Sequence, residues 1–224
     1  MKSSLLKLKK AEQKAAKLFK EIERRQIIKA GKTEKQINTE LFELAASMFN
    51  IHKYWHKRIV RAGANTLHPY DENPPDLTIQ EDDIVFIDFG PILEDWEADY
   101  GRTYVVGNDP YKLKLATDAA LLWHEANSYF KSNPSCTGAQ LYQYCVDLAE
   151  KNNWEYGGPI AGHLIGHFPH EKLDTEIKTN YIHPENHIAM NEKDNLGMER
   201  HWIIEIHLVD RSQQIGAFFE QLAG

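Results

Sequence analysis

The chain has 224 residues, 42% hydrophobic and 26% charged, the proportions of a water-soluble globular protein. No apolar run reaches the roughly 18–20 residues of a bilayer span. The N-terminus lacks the apolar core of roughly 7–15 residues of a secretory signal, so a cytoplasmic protein without a membrane partner is expected. Of the net charge of −7, residues 1–32 carry 11 Lys/Arg against 3 Glu, leaving 15 basic and 30 acidic residues beyond them. That acidic remainder argues against nucleic acid as a partner.

Residues 1–30 read as a basic N-terminal helix. Leu5, Leu8, Ala15, Leu18, Phe19 and Ile22 fall near one stripe within 3–29, and Gly31 stops it. The basic face reads as a solvated surface packed on its own acidic domain. Thr33 is a plausible N-cap for a second helix running to about Asn50. The segment "HPYDENPPDLTIQEDD" is a loop by its Pro, Asp and Asn content. "IVFIDFG" and "ADYGRTYVVG" then read as two strands of a hairpin. Helices are expected over Tyr111–Lys131 and Thr137–Asn152. Cys136 and Cys145 would lie on opposite faces of the latter, unbridged, which suits a reducing compartment.

"AGHLIGHFPHE" places His163, His167 and His170 close together. His163 and His167 are four apart, as on one face of a metal-binding helix, yet Gly162, Gly166 and Pro169 oppose a helix there. "HWIIEIHLVD" is the clearest strand, and "IGAFFEQ" can pair with it. The order of helices, hairpin, helices, hairpin gives an α+β fold, with helices on one face of a mostly antiparallel sheet and residues 1–224 forming one domain.

Two strands carry carboxylates where apolar side chains belong. Asp88 ends Ile84–Ile87, and Glu205 interrupts the run from Trp202 to Ile206. Taken singly, each could cap a turn or join an ion pair, such as Asp99 with Arg102. A hairpin centred between Leu93 and Glu94 would make Asp88 and Asp99 cross-strand partners, with Cβ atoms roughly 4.5–5.5 Å apart. No basic residue precedes Arg102 in that hairpin, so a hard divalent cation is the better counter-charge. Glu205 and Glu220 read as a second inward pair on a hairpin through "DRSQQIG". Four carboxylates and a histidine suit a two-metal centre.

Asp88, Asp99 eleven residues on, His163 in a GHxxG context, His170 seven further, Glu205 in a strand and Glu220 near the end resemble the pita-bread metallopeptidases. That family includes methionine aminopeptidase, Xaa-Pro aminopeptidase and prolidase. The resemblance covers about residue 20 to the C-terminus. It implies the pita-bread fold and two divalent metal ions (Mn, Co, Fe or Zn, with Mn favoured) held by Asp88, Asp99, His163, Glu205 and Glu220. Asp99 and Glu220 would bridge the ions. It implies His68 and His170 as catalytic contacts to substrate and Glu205 as a ligand that also moves a proton. His167 matches no ligand. The implied partner is a peptide with a free N-terminus; the oligomeric state is left open.

Three positions depart from the family pattern. Gly101 stands where a Thr commonly follows the second aspartate, Ile206–His207 follow Glu205 in place of the usual Pro, and only four residues follow Glu220. "NTLHPY" and "FPHE" look closer to the Xaa-Pro-cleaving branch, whose usual extra N-terminal domain 224 residues leave no room for. Methionine aminopeptidase, which the compact length suits, is the second reading. A non-catalytic pita-bread binding domain is the reading of another class, and such domains typically lack ligand positions that are all present here.

Overall fold

The computed structural model describes residues 2–169 and 177–224, with the side chains of Lys2 and Ser3 left out. Helix α1 spans Lys2–Arg24, shorter than the expected 3–29. Gln26 turns left-handed at φ 50°, and the Ile27 amide reaches back to the Ile22 carbonyl. Ile27 stays in the core beyond the helix end, which is why the apolar periodicity overruns it. Helix α2, Glu34–Phe49, starts on a capping box in which Thr33 and Gln36 satisfy each other's backbone amides.

Strand β1 (Ile59–Ala62) runs into a 3-10 turn, and β2 (Ile84–Phe89) follows the Pro/Asp-rich loop. A small hairpin of β3 (Ile92–Leu93) and β4 (Trp96–Glu97) leads into β5 (Tyr100–Val105). Helices α3 (Pro110–Ser132) and α4 (Gly138–Lys151) come next, close to the expected bounds. The short β6 (Glu155–Tyr156) and β7 (Leu164–Ile165) precede the long β8 (His201–Asp210) and β9 (Ile215–Leu222). The sheet order is β1-β2-β5-β9-β8-β6, with β7 also paired to β8 and every strand pair antiparallel.

Alternation along the strands separates two faces. Val85, Ile87 and Phe89 of β2 join a core with Leu18 and Ile22 of α1 and Ile37 and Leu41 of α2. Ile204, Ile206 and Leu208 of β8 and Phe219 of β9 join another with Leu115 and Trp123 of α3 and Leu141 and Cys145 of α4. The intervening residues Phe86, Asp88, Glu205, His207, Phe218 and Glu220 face a cavity of about 820 Å³ on the opposite side. Both cysteines are buried and unbridged; Cys136 lies ahead of α4, not on the opposite face of that helix.

Candidate metal centre

The β2–β5 register differs from the expected one. Leu93 pairs with Trp96 across a turn in which Glu94 and Asp95 both have positive φ (52° and 65°), the twist a two-residue hairpin turn requires. This sets Asp88 opposite Gly101, not opposite Asp99. The pairing is displaced by two residues, so parity is preserved and Asp99 still belongs to the cavity face. Gly101 is in turn the partner of Glu220, and Glu220 that of Glu205. Asp88, Gly101, Glu220 and Glu205 therefore form one row across four adjacent strands, with a gap at the glycine.

Arg102 does not pair with Asp99. Its guanidinium lies between the Tyr100 and Phe219 rings, 3.7 Å from each centroid, and donates to the Gly101 and Glu220 carbonyls. The positive partners of Asp99 are two imidazoles. His163 Nε2 stands 3.1 Å from Asp99 Oδ2 and 3.7 Å from Glu220 Oε1. His56 Nε2 stands 3.1 Å from Asp99 Oδ1 and 3.6 Å from Asp88 Oδ1. Two ligand clusters result, His56–Asp88–Asp99 and Asp99–His163–Glu220, each with its donor atoms within 4.8 Å of one another.

His163 is set by its neighbours. Gly162 has φ +134°, and a Cβ there would lie 2.0 Å from the Ile203 carbonyl oxygen. Only glycine lets the chain approach β8 this closely, where the Ile203 amide donates to the His163 carbonyl at 2.8 Å. The segment continues as β7, so His163 and His167 do not share a helical face. His167 is exposed against the Trp96 ring, away from the cavity. His68 lies in the cavity wall with Nδ1 paired to Glu72. His170 falls outside the described residues.

Without a cation, this much buried charge perturbs every group. Burial pushes the Glu205 carboxyl up to about 8 and the Asp88 carboxyl up to about 7. Glu220 is raised as well, first by burial and then by the charge of Asp99. Burial opposes charge on His56, but Asp99 and Asp88 outweigh it and raise the imidazole to about 9. Burial likewise opposes the charge of Asp99, which the two imidazoles nevertheless hold below the usual carboxylate range. Asp88 Oδ1, Glu205 Oε1 and Glu220 Oε2 are shut off from solvent with no hydrogen-bond partner. Orphaned carboxylate oxygens beside imidazole nitrogens are the donor set of an oxygen-rich divalent metal site.

His56 had no signal in the sequence. It lies in an irregular segment, and its place is fixed by contacts with the β2–β3 turn. The Trp55 amide donates to the Gly90 carbonyl, the Ile92 amide to the Lys53 carbonyl and the Trp55 indole to the Ala98 carbonyl, each at 3.0 Å. A Cβ on Gly90 would fall 2.0 Å from the His56 ring.

Two curated relatives, each named "Putative Xaa-Pro aminopeptidase", come from Mycoplasma genitalium and Mycoplasma pneumoniae. Each is 29% identical over 137 residues, a match spanning 60% of this chain and 38% of the relative's length. Among solved structures, the X-Pro aminopeptidase from Thermotoga maritima superposes with a TM-score of 0.75 at 20% identity, over 98% of this chain and 57% of that one. The methionine aminopeptidase from Rickettsia prowazekii gives a TM-score of 0.72 at 20% identity, over 97% and 91%. These likenesses establish the pita-bread fold. Residues 6–222 match a family as a whole: the chain belongs to metallopeptidase family M24.

Proposed function

We propose that the protein is a metal-dependent exopeptidase of the Xaa-Pro aminopeptidase type, hydrolysing the N-terminal bond of peptides with the help of two divalent ions. The observation that carries this reading is Asp99, whose two oxygens face different ligand clusters, as a bridging carboxylate must. Asp88, Asp99, Glu205 and Glu220 supply four negative charges, matching two divalent cations, and Mn²⁺ suits so oxygen-rich a set. Bound there, such ions supply Lewis acidity, which lowers the pKa of a water and polarises a carbonyl.

The chain's own groups do the rest. Glu205, on the cavity face with an unpartnered oxygen, is suited to accept a proton and return it to the leaving amine, a task worth roughly 10²–10⁴-fold. His68, which lines the cavity, is assigned the role of donating to the substrate's carbonyl oxygen. His170 is assigned the same kind of role on the resemblance of "PHE". The acidic floor favours a free amino terminus, and Trp55, Tyr70, Phe86 and Phe218 give the cavity apolar walls for a small ring such as proline. Among the described residues no helix is long and apolar enough to cross a membrane, and the unbridged cysteines support a cytoplasmic setting.

Methionine removal is the second reading, favoured by a superposition on a methionine aminopeptidase that covers 91% of that chain. Peptides beginning Ala-Pro, Gly-Pro and Met-Ala, offered after reconstitution with Mn²⁺, Co²⁺ or Zn²⁺, separate the two. Cleavage of the Xaa-Pro peptides is the expected result. Cleavage of Met-Ala alone would establish the second reading, and metal binding with no cleavage of any peptide would point to a binding domain.

A further inference from the structure

We propose that His56 is itself a metal ligand, holding with Asp88 and Asp99 one ion of the pair, so that each ion takes one imidazole. This rests on the dinuclear reading above and adds a sixth residue to its ligand set.

Backbone contacts fix which nitrogen is presented. His56 Nδ1 lies 2.7 Å from the Lys57 carbonyl oxygen, which can only accept, so Nδ1 carries a proton and Nε2 faces the carboxylates. A ligating histidine is held in the same way, its outer N–H donating to a carbonyl. His163 shows the arrangement again on the other side of Asp99: Nδ1 is 2.8 Å from the Leu164 carbonyl oxygen and Nε2 3.1 Å from Oδ2. The two histidines thus bracket one carboxylate, each tethered to the carbonyl of the following residue.

The spacing also fits. Two donor atoms each about 2.1 Å from one ion stand roughly 3 Å apart at right angles. His56 Nε2 is 3.1 Å from Asp99 Oδ1 and 3.6 Å from Asp88 Oδ1, and the latter oxygen has no hydrogen-bond partner. The His56 side chain is only 7% exposed, and Gly90 leaves the space its ring fills. An outer supporting residue would donate to a carboxylate oxygen turned away from the ion. His56 instead points between the oxygens of two predicted ligands.

Co²⁺-loaded protein tests this by proton NMR, because each ligating imidazole with a protonated Nδ1 gives one strongly shifted, solvent-exchangeable resonance. Two such resonances are expected in the wild type. His56→Phe keeps a ring of similar size and should lose one of them, with one ion weakened by more than about 100-fold. An outer residue gives only about 10–100-fold. A single resonance in the wild type overturns the assignment whether or not the variant folds; so does a folded variant that keeps both ions at wild-type affinity. Fewer than two ions in the wild type sinks the dinuclear reading separately, and His56 is then judged on the resonances alone. A wild type that binds no divalent ion overturns both.

Discussion

Glu205 and Glu220 are register partners on β8 and β9, two carboxylates directly opposed on the cavity face. The row they begin continues through Gly101 to Asp88. A Cβ at Gly101 would come within 2.6 Å of the Phe218 ring and 3.0 Å of the Glu220 Cβ, so a threonine would require Phe218 to move. The departure from the family pattern at this position is matched by the bulk of its neighbour.

Asp99 contacts both ligand clusters, so Asp99→Ala should release both ions together. Metal content of the purified variant, measured with circular dichroism to establish folding, checks this. Full retention of metal in a folded variant would contradict the bridging role.

Glu205→Gln preserves shape and removes charge. The variant should fold but lose at least one ion or nearly all turnover, a fall in kcat of about 10²-fold or more if Glu205 moves the proton. Wild-type turnover of a good substrate would mean that Glu205 is neither ligand nor base.

The neighbouring histidines should separate by observable. His163→Ala removes a donor from the Asp99–Glu220 cluster, so metal affinity and activity should fall together. His167→Ala removes a ring that touches Trp96 outside the cavity, so neither quantity should change more than slightly. Calorimetric titration of the two variants with Mn²⁺ decides it, and the reverse pattern would overturn the assignment.

The metal-free chain should lose stability as pH rises from about 7 to 9. Folded Glu205 titrates at about 8 and folded His56 at about 9, both above their ordinary values of 4.5 and 6.5. The folded state therefore binds more protons than the unfolded one across this window, and raising pH favours unfolding. Bound cations displace those protons, which should flatten the dependence. Calorimetric Tm values at several pH values, with chelator and with Mn²⁺, test both points; a Tm that climbs with pH in chelator would contradict the first.

Gly162→Ala should destabilise the protein by about 2–4 kcal/mol, through its φ of +134° and the closeness of the Ile203 carbonyl. A denaturant midpoint close to that of the wild type would show that this approach to β8 is not needed.

Local sequence determined much of this protein. Strand alternation placed Asp88, Glu205 and Glu220 on one face, and Thr33 with Gln36 marked a helix start. The glycines and proline around His163 ruled out a helix, and the "DRSQQIG" turn paired Glu205 with Glu220. These are effects of short range, set by side-chain period and turn chemistry. The position of Asp99 depended on whether the β3–β4 turn is centred before or after Glu94, which the left-handed Glu94 and Asp95 decide together. The arrival of His56 at Asp88 and Asp99 was decided only in the folded chain. Its segment has no period, and the backbone of the β2–β3 turn, with a Cβ missing at Gly90, fixes where its ring lies. Residue type and spacing specify faces and turns, whereas the meeting of an irregular segment with a distant hairpin depends on the packing of the whole sheet.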